Sequence, residues 1–579
     1  MLYPLSYVGS CGCELSACGL GADGYRGVMG RRWVDVGGVR LAVYDDGPGD
    51  GAPVLLVHGY PDNASVWDGV VRVLRRRFRV VRYDVRGCGE SSAPDGREGY
   101  RVPALVEDLV AVVRSLGGRA VHLVGHDWGS IQAWAAVAAY PELFVSFTSI
   151  SGPDLGQIGD WMTHARRRDV VRQLFRSWYI GAFQVPVLPE LVWRVPLLLR
   201  KFQALYRDAR NGVELYRANM VGQRPEARRV SVPVQQIALT RDPFVTSALL
   251  SSADPWCARL WRRPLVGEHW AVRHQPANVA RFVLEFIDHL DGEPASRELS
   301  RARVGDSSLP MGGRLALVTG AGSGIGRATA FALARQGVEV LCVDVDFGSA
   351  ERTAVEIGGS AFQLDVADGT DMQRLADHIL AVHGVPDLVM ANAGVGVAGS
   401  FLDTTERDWR RVIDVNLWGV VNTLRAFVPS LVARGEGGHI VVTASAAGFL
   451  PLPSLPAYST TKAAVLMLAQ CLAGELARDG IGVSAVCPGF VHTNITATTR
   501  FAGTAPDEER PRRVRATKLY RRRGFGPDRV AAEIVAAVRD GRVFVPVTPE
   551  AKAGAIANRL APGATRALLG WVDGLANRR

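Results

Sequence analysis

Leu315-Ala316-Leu317-Val318-Thr319-Gly320-Ala321-Gly322-Ser323-Gly324-Ile325-Gly326 sets the architecture of the second half of this 579-residue chain. An apolar run at 315–318 predicts a short buried strand, and the glycines after it predict a tight turn into a helix. Glycine at 320, 324 and 326 lets the backbone come close to a pyrophosphate. The N–H groups around Ser323 and Ile325, with the helix dipole, favour that anion. The next strand, 339–343, ends at Asp344, 24 residues beyond Gly320. A carboxylate there accepts from the 2′-OH of NAD and repels the 2′-phosphate of NADP. Neither Ser323 nor Val345 is the basic partner that NADP would want. Strands and helices alternate from 314 to about 547, so a doubly wound parallel α/β sheet is expected.

Downstream, Tyr458-Ser459-Thr460-Thr461-Lys462 puts a phenol and an ammonium four residues apart, on one helical face. The ammonium favours the phenolate, so Tyr458 can exchange a proton near neutrality. Ser445 lies 13 residues before Tyr458, after a strand at 439–443, where it can hydrogen-bond the same substrate oxygen. Only four of the 67 basic residues are lysines. A lysine at 462 in so arginine-rich a chain marks a place where arginine does not serve.

These residues resemble the Rossmann-fold short-chain dehydrogenases over about 313–547. The resemblance implies a tetrad of Asn416, Ser445, Tyr458 and Lys462, with Asn416 holding a water in the proton relay to Lys462. It implies adenine contacts from Asp365 and Val366 and a turn of Asn392, Ala393 and Gly394, where Ala391 departs from the family's first position. It also implies nicotinamide contacts from Pro488, Gly489, Val491 and Thr493.

In the first half, short strands at 54–57, 79–83 and 120–124 alternate with helical segments such as 102–116, after a hairpin at 34–45. Gly125-His126-Asp127-Trp128-Gly129 joins a strand to a helix. Small residues flanking such a sharp turn force the central side chain out above the sheet. A carboxylate at that point, Asp127, suits attack on saturated carbon, giving an ester that water can hydrolyse. Asp242 follows a later strand and His269 comes last. Nucleophile, acid, histidine is the order expected of a catalytic triad on this type of sheet.

With His58-Gly59-Tyr60-Pro61, residues from about 31 to 291 resemble epoxide hydrolases of the α/β-hydrolase superfamily. The resemblance implies an oxyanion hole from the N–H groups of Tyr60 and Trp128. It implies two lid tyrosines, Tyr179 and Tyr216, that hydrogen-bond the epoxide oxygen. Asp127 would open the ring, and His269, oriented by Asp242, would activate the water that releases a vicinal diol. A haloalkane dehalogenase shares the aspartate and Trp128, but such enzymes often carry Asn where Tyr60 stands and lack the tyrosine pair. The other alternative is a non-catalytic binding or dimerisation module attached to an active dehydrogenase.

The expected domains are a leader (1–29) disordered or outside the true start, a hydrolase domain (30–292) with a helical lid at about 154–223, and a linker (293–310). A dehydrogenase domain (311–547) and a helical tail (548–579) follow. Leu15-Ser16-Ala17-Cys18 looks like a lipoprotein cleavage box but has no basic residue or apolar stretch before it. The polar linker reads as a flexible tether of roughly 20–25 Å that would hold the two sites at millimolar effective concentration. That would let the diol pass to the dehydrogenase and leave as an α-hydroxy ketone.

The net charge of +10 is spread along the chain without a nucleic-acid-binding motif, so nucleic acid is not an expected partner. Eight cysteines, three in the first 18 residues and the rest isolated, form no disulfide framework, which fits a reducing cytoplasm. No run of about 18 apolar residues predicts a transmembrane span, though peripheral contact with anionic lipid fits the basic charge. No metal is expected at either site. The whole arrangement resembles the fused epoxide hydrolase/short-chain dehydrogenases of mycobacteria and related actinobacteria. That resemblance implies a hydrophobic small-molecule or lipid substrate and a homo-oligomer formed through the dehydrogenase half.

Overall fold

The computed structural model describes residues 30–48, 53–222, 225–306, 309–493, 495–522 and 524–577. The leader of 1–29 lies outside the described residues, as do Gln223 at the lid's end and 307–308 of the linker.

Eight strands form the first sheet: β1 (Gly30–Val36), β2 (Val39–Asp46), β3 (Pro53–Val57), β4 (Arg79–Tyr83), β5 (Val121–His126), β6 (Phe144–Ile150), β7 (Val234–Leu239) and β8 (Leu260–Leu265). Their spatial order is β1-β2-β4-β3-β5-β6-β7-β8. β2 pairs antiparallel with β1 and β4, and the remaining pairs are parallel. β3 and β5 are buried along their whole length, as central strands covered by helices on both faces must be. This is the α/β-hydrolase arrangement. Six helices between β6 and β7, from Leu155–His164 to Tyr206–Asn219, make the lid.

The second sheet holds β9 (Leu315–Thr319), β10 (Glu339–Asp344), β11 (Ser360–Gln363), β12 (Leu388–Ala391), β14 (Gly438–Thr443), β15 (Ile481–Cys487) and β17 (Phe544–Pro546). Two short strands, β13 (Val397–Ala398) and β16 (Arg500–Phe501), pair apart from it. The order β11-β10-β9-β12-β14-β15-β17 is all parallel and reverses direction between β9 and β12. That reversal is the crevice where open α/β sheets bind ligands. The tail forms two helices, Pro549–Leu560 and Pro562–Asn577.

Residues 296–304 depart from the flexible tether that the sequence of 293–310 suggests. Ser296 caps a short helix, Arg297–Arg301, whose Leu299 is buried. Arg262 N–H then donates to Ala302 O at 2.7 Å, and Val304 N–H to Leu260 O at 2.8 Å, so the segment runs along the outer edge of β8. Its arginines close a network between the halves. Arg301 pairs with Asp387 at 2.7 Å, and Arg297 with Glu339 at 2.7 Å. Arg263, fully buried, reaches Glu285 at 2.6 Å and Glu436 at 2.9 Å. The segment lacks an apolar period because charge pairs, more than side-chain burial, dock it.

Among the described residues, no helix is long and apolar enough to cross a membrane, and no group of three His, Cys, Asp or Glu is placed to hold a metal ion.

Candidate active sites

Asp127 follows β5 directly and has φ 52° and ψ −122°, a left-handed conformation held by its surroundings. Those surroundings require glycine. A Cβ on Gly129 would lie 2.1 Å from Val57 O, and one on Gly59 would lie 2.4 Å from Asp127 Oδ1. With Gly59 bare, the next residue can approach, and Tyr60 N–H donates to Asp127 Oδ1 at 2.8 Å. Trp128 opens the helix Trp128–Ala139 beside it.

Asp127 Oδ2 is 3.6 Å from His269 Nε2. His269 Nδ1 donates to Asp242 Oδ2 at 2.9 Å, and Asp242 Oδ1 accepts from the N–H groups of Phe244 at 2.8 Å and Val245 at 3.1 Å. Burial opposes charge on both His269 and Asp242, yet their mutual attraction prevails. Asp242 is held down at about 2. His269, between Asp242 and Asp127, is raised to about 10. In the resting site the imidazole is therefore protonated at neutral pH.

The lid brings Tyr179 and Tyr216 over this group, with ring centroids 5.8 Å apart; Tyr216 is 5.1 Å from Trp128. Burial and the Asp127 charge push both phenols upward, so both stay protonated and able to donate. Tyr60, Phe183, Trp193 and Phe244 complete an aromatic wall.

Three further groups support the site without a motif of their own in the sequence. Buried Asp62 accepts from Trp270 Nε1 at 2.9 Å and pairs with Arg273 at 2.6 Å, fixing the segment after His269. His126 Nε2 lies 2.8 Å from His269 O, and burial lowers His126 to about 4. Arg176 donates to Asp242 O at 2.6 Å. His126 and Asp62 adjoin recognised motifs, which was the only signal available.

In the second domain Gly320 and Gly324 have φ of 68° and 55°. A Cβ on Gly326 would lie 2.1 Å from Gly320 O, and one on Gly324 would lie 3.2 Å from Thr493 Cβ. The turn that holds Ser323 and Ile325 is thus closed down to bare backbone, with Thr493 over it. Asp344, at the end of β10, accepts from Gly322 N–H at 2.8 Å through Oδ2 and from Asp346 N–H at 3.1 Å through Oδ1. Asn392 ties β12 to β9, donating to Thr319 O at 2.9 Å, while Thr443 donates to it at 3.0 Å. Ala393 N–H donates to Thr319 Oγ1 at 3.2 Å. Asp365 caps its own turn by accepting from Ala367 N–H at 3.0 Å, and Val366 is buried against Gly419. Pro488, Gly489 and Val491 follow β15, where Gly489 N–H donates to Thr548 at 3.1 Å. A bare glycine cradle with one carboxylate beside it fits a dinucleotide.

Lys462 is buried in the helix Pro456–Glu475. Its Nζ donates to Thr443 O at 2.7 Å and lies 5.7 Å from the Tyr458 ring centroid. Burial lowers it to about 8. Ser445, just after β14, accepts from Ala447 N–H at 3.1 Å. Gly394 leaves room for both Asn416 and Lys462, because a Cβ there would stand 3.2 Å from Asn416 Oδ1 and 3.5 Å from Lys462 Nζ. Asn416 sits in a wide π-turn, Asp414–Trp418, an irregularity frequent at functional sites. Both polar atoms of its side chain have partners: Oδ1 accepts from Val395 N–H at 2.8 Å, and Nδ2 donates to Val395 O at 3.0 Å and Thr461 Oγ1 at 3.3 Å.

Comparison with known proteins agrees with both halves. The short chain dehydrogenase family model matches residues 314–502, and the alpha/beta hydrolase fold model matches residues 52–186. The chain is an oxidoreductase of the short-chain dehydrogenase class, using a nicotinamide cofactor, fused to an α/β-hydrolase-fold domain. It belongs to the family of the mycobacterial probable oxidoreductase EphD. The Mycobacterium tuberculosis (strain ATCC 25618 / H37Rv) member is 41% identical over 569 residues, covering 91% of this chain and 96% of that protein. Among solved structures, a short chain dehydrogenase/reductase from Burkholderia phymatum in complex with NAD is 32% identical, covering 44% of this chain and 96% of that one with a TM-score of 0.40. An epoxide hydrolase from Bacillus megaterium in complex with an inhibitor is 23% identical, covering 44% of this chain and 100% of that one with a TM-score of 0.39.

Proposed function

We propose that the chain is bifunctional. Its first domain opens an epoxide to a vicinal diol, and its second moves a hydride between NAD(H) and a hydrophobic alcohol or ketone. The observation that carries the first activity is the division of labour between the two Asp127 oxygens. Oδ1 is held by Tyr60 N–H, while Oδ2 faces His269 and is the oxygen that attacks.

Oδ2 forms a bond to an epoxide carbon, the carbon–oxygen bond of the ring breaks, and Tyr179 and Tyr216 donate to the leaving alkoxide. The ester removes the Asp127 charge. His269 then loses one of the two carboxylates that raise its pKa, its proton passes to the product alkoxide, and the neutral imidazole takes a proton from water. Water attacks the ester carbonyl, whose oxygen is Oδ1, with the Tyr60 and Trp128 N–H groups stabilising the oxyanion. The aromatic wall favours a hydrophobic substrate.

In the second domain, bound NAD supplies the hydride acceptor, or the donor in the reverse direction. Ser445 orients the substrate oxygen and Tyr458 exchanges its proton. Lys462 is desolvated and directed at Thr443 O. Asn416 would hold a water in the proton relay to Lys462. Asp344 favours NAD through the ribose hydroxyls.

Turnover in 18O-labelled water tests the ester. Repeated cycles should place label in the Asp127 carboxylate, and Asp127→Ala should abolish diol formation while nicotinamide reduction continues. Label in the diol from the first turnover, with none in Asp127, would sink the mechanism. Release of halide from a haloalkane without epoxide turnover would favour the dehalogenase.

A further inference from the structure

One lid helix is built inside out. Arg167–Arg176 is anchored on its inner side by Gln173, whose amide donates to Phe244 O at 2.7 Å and accepts from Thr246 N–H at 2.9 Å. Arg176 helps by holding Asp242 O. The outer arc carries Val171, Leu174 and Phe175, and Trp178 continues it. These four residues have the i, i+3, i+4, i+7 spacing of a core-facing stripe. Yet they face solvent, with Phe175 77% and Trp178 72% exposed. Further along the lid, Val187 and Leu197 are exposed as well.

Arg166, Arg167, Arg168 and Arg172, all exposed, flank the stripe. Of the acids in the lid, Asp169 faces Arg168 at 3.8 Å and Glu190 is bound by Arg217 at 2.6 Å. Over residues 154–222 there are eleven Lys and Arg against six Asp and Glu. A contiguous apolar patch rimmed by one sign of charge calls for a partner with apolar depth and the opposite charge. A second copy meets that need poorly, because a two-fold contact sets the arginines of one copy against their equivalents.

We propose that this face docks the lid on an anionic lipid bilayer, with the stripe at the boundary between headgroups and acyl chains and the arginines on lipid phosphates. Trp178 on the surface is followed by Tyr179 beside Tyr216, so the docked face adjoins the first active site. A substrate carried in the bilayer would have a short path to Asp127; that step alone rests on the proposed hydrolase chemistry.

Co-sedimentation of the full chain with vesicles tests the docking and needs no turnover. The chain should pellet with phosphatidylcholine vesicles containing phosphatidylglycerol, and about tenfold less with phosphatidylcholine alone or in high salt. Phe175→Glu with Trp178→Glu should cut binding about tenfold while nicotinamide reduction is retained. Should that variant fold poorly, Arg167→Glu with Arg168→Glu and Arg172→Glu leaves the stripe intact and should cut binding to a similar degree. Wild-type chain staying in the supernatant, or either variant binding undiminished, overturns the proposal. So does a dimer in sedimentation velocity that Phe175→Glu makes monomeric without any vesicle binding, since the face would then belong to a second copy.

Discussion

The backbone N–H of Val266 donates to the carbonyl of Gly435 at 2.7 Å, joining the two halves of the chain three residues before His269. The contact continues on both sides. Arg241, next to Asp242, donates to Ala477 O at 2.5 Å. The Val266 side chain packs on Gly480, where a Cβ would lie 2.6 Å from it. The loops that carry Asp242 and His269 are thus braced by the second domain.

Glu436→Ala tests that brace. It removes the carboxylate shared by Arg263, Arg281 and Arg301, and Arg263 has no exposed surface with which to recover solvent. Breaking one side of a lone buried pair costs about 3–5 kcal/mol; Arg263 keeps Glu285 and Arg301 keeps Asp387, so the loss should fall below that range. Denaturant unfolding should show that loss and split into two transitions. Epoxide turnover should fall by more than nicotinamide reduction, because the Asp242 and His269 loops lie at the contact and the Tyr458 end of the second sheet does not.

Much of both candidate sites is legible in the sequence, because sharp turns and helical spacing leave marks on individual residues. Asp127 is flanked by glycines that close packing demands, and Tyr458 with Lys462 shares a helix face. What the sequence hides is whatever depends on partners far along the chain. The 293–310 segment looks like a tether because its docking groups are arginines whose carboxylates lie as far away as Asp387 and Glu436. Helix Arg167–Arg176 has ordinary amphipathic spacing, and nothing local says that its apolar side faces out. The π-turn at Asn416 likewise goes with hydrogen bonds to Val395 and Thr461, 21 and 45 residues away.

Tyr179→Phe and Tyr216→Phe each remove one phenol donor and keep the ring that packs against Phe183. Each should lower epoxide turnover by roughly 10²-fold, the size of effect seen when one preorganised donor to a developing oxyanion is lost. The double variant should lose more, and nicotinamide reduction should hold steady in all three. Steady-state rates with one epoxide and one alcohol check this. An unchanged rate in both single variants would remove the tyrosines from the chemistry.

The proton on His269 makes stability depend on pH in a stated direction. Its pKa is raised from 6.5 to about 10 on folding. The resulting stabilisation is fully present below 6.5 and is lost as pH rises through about 10. Asp127→Asn removes one of the two carboxylates and so imitates the ester. Its His269 should titrate at lower pH by NMR, and its melting temperature should begin to fall at lower pH than the wild type's. Equal His269 midpoints in the two proteins would mean that ester formation does not switch the base on.

Asp344 sets cofactor preference if its carboxylate meets the ribose. Asp344→Ser with Val345→Arg should shift preference from NAD toward NADP, read as the ratio of kcat/KM for the two cofactors. Val345 is exposed, so the arginine meets no packing barrier. A wild type that already prefers NADP would refute the assignment.

The last prediction concerns transfer between the sites. A flexible tether would let the diol reach the dehydrogenase quickly, but the docked residues 296–304 fix the second domain in place. The first domain contacts Gly435, and Arg301 of the joining segment contacts Asp387, at the end of the second sheet where β12 and β14 begin. Ser445, Tyr458 and Lys462 gather at the other end of β14, beside Thr443. Five strand steps at about 3.3 Å each separate the two ends, roughly 16 Å of packed sheet. A product leaving the first site must go around that sheet, through solvent or along a lipid surface. Wild-type protein given an epoxide and NAD should therefore show the same lag before NADH appears as an equal mixture of Asp127→Ala and Tyr458→Phe chains at matched site concentrations. The mixture can transfer only between molecules, whereas the wild type can transfer within one. A clearly shorter lag in the wild type would show that a protected route exists despite the opposed placement.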